Sequence, residues 1–274
     1  MSKKIQLEET ALENIMQFRP IQEMIEVTSN LYRLGWDERN GGNITYLVDE
    51  AEVQKYIDTT KVIRNIPMSF DGKELVGKYF KNVQSDPENN LGILRVAEDA
   101  HSVDLLWGYS DGGLPTSELP AHFMSHIARL AVDPENRVVM HCHATHLLAM
   151  TFSHEITSKA ITRTLWEMCT ECLVVFPEGI KVLPWLVPGS NEIGEATAKA
   201  MKDFRLVLWS FHGVYGAGRT IDETFGLIET AEKAAEVYTY VQAQGGMKQM
   251  ITDENFKALA KQFGVTPNKD FFEM

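Results

Sequence analysis

The sequence predicts an α/β sandwich in which helices flank a mixed or largely antiparallel sheet. Two observations point there. Segments of helical and of strand periodicity alternate to the end of the chain, and several strand segments are joined by hairpin-type turns. A third observation excludes the main competitor: "GAGRT" (Gly216 to Thr220) follows a strand but lacks the G-x-G-x-x-G spacing of a dinucleotide fold. No internal repeat, low-complexity tract or Pro/Gly/Ser-rich linker interrupts the 274 residues, so 1–274 is expected to be a single domain, with about 1–19 a poorly defined N-terminal extension.

Taken in order, Pro20 suits a first helical turn. Ile21, Met24, Ile25, Leu31 and Leu34 follow at near-helical spacing, and Gly35 fits the position just past a helix end. "GNITYLVD" (Gly42 to Asp49) is a strand entered through a Gly-Gly turn. "LGILRVA" and "SVDLLWGY" form a hairpin, and "AHFMSHIARLA" is a helix with Phe123, Ile127 and Leu130 on one face. "NRVVMHCHA" is a strand, "TSKAITRTLWEM" a helix, and "ECLVVF" and "IKVLPW" two short strands. Ser190 caps the helix "SNEIGEATAKAMKDF", and "RLVLWSFHGVYGAG" is a buried strand running into a glycine-rich turn. Thr220 and Glu223 are a capping-box pair for a long helix ending near Gly245-Gly246, and a last helix runs from near Thr252 to Gly264.

Composition narrows the function. A formal net charge of -12 argues against a broad nucleic-acid surface, though not against one small phosphorylated ligand held by a local nest of N–H groups. No apolar run approaches the roughly 20 residues needed to cross a bilayer, so no membrane partner is expected. Acidic residues interrupt the stretch after "MSKK", which does not read as a secretory signal. Three cysteines (Cys142, Cys169, Cys172) make no disulfide framework, and a reducing cytoplasm is the expected compartment.

The densest chemistry lies in "MHCHATH" (Met140 to His146). Residues two apart on a strand share a face, so His141 and His143 project together and Cys142 points away. Such a pair can hold zinc or can be two hydrogen-bonded polar residues where a strand surfaces. A catalytic zinc needs a third ligand and an open position, and His212, at the end of an apolar strand and before Gly213, is the best candidate. His146 is at best an outer neighbour, and His101 and His154 read as surface residues. His122 and His126 are spaced i, i+4 but lack the glutamate of H-E-x-x-H. With Arg129 they form a polar stripe expected to face solvent or another subunit. Cys169 and Cys172 have no second pair to complete a metal site. Glu118 opens a helix just after Thr116 and Ser117, a place where a base could sit and where free N–H groups attract anions, although acidic residues are common in first turns for dipole reasons alone. "NGGN" (Asn40 to Asn43) is a second possible anion site, with Gly41 and Gly42 allowing close approach and the asparagines donating; an ordinary tight turn explains it equally.

Together, "GWDERNGGN" (Gly35 to Asn43), "PTSELPAHF" (Pro115 to Phe123), "MHCHAT" (Met140 to Thr145), "TECLVVFP" (Thr170 to Pro177) and "FHGV" (Phe211 to Val214) resemble the class II aldolase/adducin family, and "DETFGLI" and "GGMKQ" extend the resemblance over nearly the whole chain from about residue 20. The resemblance implies one zinc ion per subunit on His141, His143 and His212, with Glu118 as catalytic acid/base. It implies a substrate phosphate held by Asn43, Thr116 and Ser117, with Asn40 and Gly42 in the same loop, and a Glu171 that reaches into a neighbouring subunit's site. A homotetramer with active sites at its interfaces, a three-layer α/β/α fold and retro-aldol cleavage of a small phosphorylated ketose follow from the same likeness. Other sugar-phosphate aldolases and 4-epimerases of the family share this metal logic; a non-catalytic adducin-like scaffold and a zinc hydrolase are the readings from other classes. The chain departs from the family at Ser69–Val83: "SFDGKELVGKYFKNV" replaces a Thr-Gly-Ser/Thr-Gly phosphate turn with only Gly77 and Lys78, and reads as short by a strand and a turn.

Overall fold

A computed structural model describes residues 12–38, 41–84, 90–110 and 112–272. Helix α1 (Arg19–Leu34) buries Ile21, Met24, Val27 and Leu31, and ends where Gly35 takes the left-handed conformation (φ 75°) that an L side chain resists. It leads into β1 (Asn43–Val48), the short α2 (Glu50–Val53), β2 (Arg64–Pro67), β3 (Tyr79–Gln84), β4 (Leu91–Val96) and β5 (Ser102–Gly108). Helix α3 (Leu119–Val132) precedes β6 (Val138–Cys142), α4 (Thr145–Ser153), α5 (Ser158–Met168), α6 (Thr170–Val175) and β7 (Ile180–Leu183). The chain closes with α7 (Asn191–Ala200), β8 (Leu206–Trp209), β9 (Gly213–Gly218), α8 (Ile221–Ala243) and α9 (Asp253–Phe263).

Among the described residues the strands form one sheet in the order β2-β5-β4-β3-β1-β6-β9-β8-β7. Every neighbouring pair is antiparallel except β7–β8, which gives the mixed, largely antiparallel sheet expected. Strand β6 shows how the layers divide. Val138, Met140 and Cys142 enter the core that also holds Leu31, Trp166 and Ile228, while Val139 faces the opposite cluster with Ala121, Ile193 and Trp209. The central sheet is thus covered on both faces, by α1, α5 and α8 on one side and α3 and α7 on the other, in three layers.

Three local expectations are corrected. "ECLVVF" is not a strand: all but its last residue, Phe176, lies in α6, which is separated from α5 by Cys169 alone and buries Cys172 and Leu173. So short an apolar run has no periodicity to separate helix from strand. "GVYGAG" is not a turn but β9, and its glycines serve close packing: a Cβ on Gly216 would lie 2.9 Å from Ile228, and one on Gly218 2.6 Å from Thr224. The Thr220 hydroxyl caps α8 by accepting from Glu223 N–H, but the Glu223 carboxylate accepts from Arg219 N–H rather than completing the box on Thr220.

The stretch Ser69–Val83 makes one 3-10 turn at Lys73–Leu75 and then enters β3 directly, so one strand bridges β1 and β4. That register places Lys81 opposite Tyr46, fully buried, with no partner for its Nζ; burial pushes the amine well below its ordinary pKa.

Candidate active site and metal centre

The site is built on a row of cross-strand neighbours. Asn43 of β1 pairs with His141 of β6, and His141 with Tyr215 of β9, so all three side chains rise from one face of the sheet centre. His143 follows on the same face, its N–H donating to Trp36 O at 2.9 Å. His212 is delivered by the tight turn between β8 and β9, where Phe211 holds φ 64° and its N–H donates to Thr151 of α4. Left-handed backbone costs a non-glycine residue about 1–2 kcal/mol, and the turn is tied down on both sides, by His212 N–H to Trp209 O and Ser210 N–H to Leu183 O.

The result is a cup of three imidazoles. Ring centroids lie 5.0 Å (His141–His212), 5.1 Å (His143–His212) and 5.3 Å (His141–His143) apart, and one nitrogen of each falls within 4.8 Å of the others. Outer partners set two of the tautomers, while His212 Nδ1 is buried without one. His141 Nδ1 donates to Val214 O at 3.1 Å, and His143 Nδ1 donates to the Glu38 carboxylate at 2.6 Å, so both Nε2 lone pairs face inward. His141 Nε2 is buried without a hydrogen-bond partner, the unmet need that a metal ion would fill. Burial, then the neighbouring His143, holds the His141 pKa down at about 3; burial, then His141, brings His212 to about 4, so both rings are neutral at neutral pH, the form in which they could hold a metal ion. Two glycines make room: a Cβ on Gly213 would meet His141 Cε1 at 2.8 Å and His143 Cδ2 at 2.9 Å, and one on Gly41 would meet His143 Nδ1 at 2.8 Å.

Glu118 caps α3 above this cup. One carboxylate oxygen lies 3.5 Å from His141 Nε2 and the other 3.5 Å from His212 Nε2. The carboxylate therefore lies against the side of the cup formed by His141 and His212, beside the place where an ion held by the three imidazoles would sit. Asn43 Nδ2 donates to its Oε2 at 2.9 Å and Tyr215 O–H at 3.5 Å, while Thr116 Oγ1 accepts from its backbone N–H.

Of the remaining expected site residues, Ser117 is exposed next to Glu118. Gly42 N–H donates to Asp37 at 2.9 Å, and Asn43 spends its amide on Glu118 and His122. Asn40 lies outside the described residues. Glu171 is exposed at the start of α6, where its carboxylate accepts from the Cys169 thiol; no described contact ties it to the three histidines of its own chain. His146 and Leu147 donate to Glu232 of α8, which thereby caps α4.

His122 and His126 overturn the expectation of a solvent- or subunit-facing stripe: both are 0% exposed. The polar edge of α3 is turned onto β1, where Thr45 Oγ1 meets a nitrogen of each ring at 2.9 Å. Asp37, Glu38, Thr45, Glu232 and Tyr215 were also missed. The signal for Thr45 was its two-residue spacing from Asn43; nothing local marks the rest.

Comparison with known proteins adds three findings. Residues 22–239 match the family described as Class II Aldolase and Adducin N-terminal domain. The rhamnulose-1-phosphate aldolase of Listeria monocytogenes is 69% identical over 261 residues, covering 92% of this chain and 96% of that one, and its counterpart from Enterococcus faecalis is 61% identical over 269 residues, covering 95% and 96%. A sugar-phosphate aldolase from Thermotoga maritima shares the fold with a TM-score of 0.71 at 28% identity, covering 83% of this chain and 96% of that one. Since 92% of 274 residues is about 252, the Listeria match leaves about nine of that protein's positions without a counterpart here.

Proposed function

The chain belongs to the class II aldolase and adducin family, and on that premise we propose that it is a zinc-dependent aldolase cleaving L-rhamnulose 1-phosphate reversibly to dihydroxyacetone phosphate and L-lactaldehyde, in cytoplasmic L-rhamnose degradation. The observation that carries this reading is the Glu118 carboxylate beside the three-histidine cup, 3.5 Å from Nε2 of both His141 and His212. A zinc ion held by His141, His143 and His212 would supply a Lewis acid for the oxygens beside the breaking carbon–carbon bond.

The residues of the chain do the rest. Glu118, as a carboxylate beside the cup, takes the proton of the hydroxyl on the carbon that becomes the aldehyde and passes it to the carbon released from that fragment, and both transfers reverse in the condensation direction. Asn43 steadies that carboxylate through its amide N–H. The hydroxyls of Thr116 and Ser117 hold the phosphate, while the Gly42 N–H and the Asn43 amide are already paired with Asp37, Glu118 and His122. Glu171 serves a neighbouring subunit's site in a homotetramer; its exposed position on α6 suits that role. The shortened Ser69–Val83 segment bears on the phosphate, so a raised KM is expected with an intact metal centre.

The test is purified protein supplied in parallel with L-rhamnulose 1-phosphate, L-fuculose 1-phosphate and L-ribulose 5-phosphate, with and without chelator. Chelator-sensitive dihydroxyacetone phosphate from the first substrate supports the proposal. Its appearance only from the second, or epimerisation of the third, reassigns the substrate, and no turnover of any of them favours the scaffold reading.

A further inference from the structure

Behind Glu118 runs a hydrogen-bond chain closed off from solvent. Asn43 gives Nδ2–H to Glu118 at 2.9 Å, and the Oδ1 of the same amide meets His122 Nε2. His122 Nδ1 lies 2.9 Å from Thr45 Oγ1, which lies 2.9 Å from His126 Nε2. There the chain stops: His126 Nδ1 is buried without a partner, its ring against Phe80 at a centroid distance of 4.9 Å. Glu118, His122 and His126 recur every four residues along α3, and Asn43 and Thr45 every two along β1, so the two elements mesh residue by residue.

Such a chain has two possible polarities. An ionised carboxylate only accepts, so it draws the Asn43 N–H and turns Oδ1 to His122. His122 Nε2 then carries the hydrogen, its Nδ1 accepts from the Thr45 O–H, and Thr45 oxygen accepts from His126 Nε2–H. The series ends on a bare lone pair at His126 Nδ1. Flipping the amide reverses every step and ends on an unpartnered buried N–H, the rarer kind of orphan in folded proteins. Burial pushes both imidazoles far below their ordinary pKa, His126 to about 3, so each ring is neutral rather than an imidazolium.

We infer that His122, tied through Thr45 to His126, is a positioning residue: it locks the Asn43 amide so that an N–H faces Glu118 and aims its carboxylate at the reacting carbon. The inference rests on the reading of Glu118 as acid/base.

The experiment uses full-length, zinc-loaded protein carrying Thr45→Val, His122→Leu, His122→Gln or Glu118→Ala. Outer partners of this kind are worth about 10- to 100-fold, so Thr45→Val and His122→Leu are expected to lower kcat by about that factor with zinc content unchanged. His122→Gln, which returns an N–H donor to the Asn43 oxygen, is expected to recover to within about threefold of wild type, a rescue that a packing role would not produce. Nitrogen-15 NMR of the wild-type histidines is expected to show both rings protonated at Nε2. Wild-type kcat in folded Thr45→Val overturns the inference, as does an Nδ1–H tautomer at His122. Should His122→Leu fail to fold, Thr45→Val and the tautomers decide. If Glu118→Ala is inactive while Thr45→Val is unaffected, only the positioning role falls; a fully active Glu118→Ala removes the reading beneath it.

Discussion

Acid is expected to unfold this protein earlier than its carboxylates alone would dictate, and His126 is where that can be read. Its ring is fully buried, and burial holds its pKa at about 3, against about 6.5 in an unfolded chain. Between those values the unfolded histidine binds a proton that the folded one does not. Stability from this group is therefore complete above the unfolded pKa and is lost as pH falls toward the folded one. From pH 7 to pH 5 the loss is about 2 kcal/mol for one such histidine. The groups facing the ring are the Thr45 hydroxyl, the Phe80 ring, the Thr45 backbone, which pulls the pKa up but less than burial pushes it down, and, beyond Thr45, His122, itself neutral. His126→Leu removes the titration while leaving His122 in place. Urea denaturation of metal-free wild type and variant at pH 7, 6 and 5 is the assay. Whatever offset the substitution produces at pH 7, the wild type is expected to lose about 2 kcal/mol more than the variant on the way to pH 5. Parallel losses would refute the assignment of a buried, neutral His126.

Other consequences are as direct. Gly213→Ala would set a Cβ 2.6 Å from Cys142 O and under 3 Å from the rings of His141 and His143; competition with a chelator is expected to show metal affinity down by about 10- to 100-fold, and an unchanged affinity would contradict the packing argument. Lys81→Met replaces an unpartnered buried amine with an apolar chain of similar length, and is expected to raise stability by about 1–3 kcal/mol; a lower urea midpoint would show that the amine has a role. His212→Ala is expected to purify with little zinc by metal analysis, whereas Glu118→Ala keeps its zinc and loses about 100- to 10,000-fold in kcat. Zinc retained in the first, or turnover retained in the second, would break the corresponding assignment.

Sequence pattern reaches as far as local geometry reaches. Strand alternation was enough to aim His141 and His143 together, and the apolar run ending at His212 was enough to place that residue at a strand terminus. The same patterning misjudged His122 and His126, because a polar stripe on a helix looks identical whether it meets water or the polar face of a strand. What decides between them is Asn43 and Thr45, about 80 residues earlier, and that pairing exists only once α3 lies across β1. His143 owes its orientation to Glu38, 105 positions away, for the same reason. In "GVYGAG" the glycines invited a turn because their local freedom is visible, whereas the helix pressed against them is not.

Strand β6 lies between β1 and β9, and the three parts of the metal cup are bound into that order. A nascent chain that has released β6 but not β9 carries two imidazoles of the three, and His141 still lacks the Val214 carbonyl that fixes its tautomer. Two neighbouring histidines on an unfinished sheet edge are a poor trap for a divalent ion. The three-histidine cup is thus complete only once β9 has paired with β6, so the arrangement is a property of the joined sheet and of no shorter stretch of the chain.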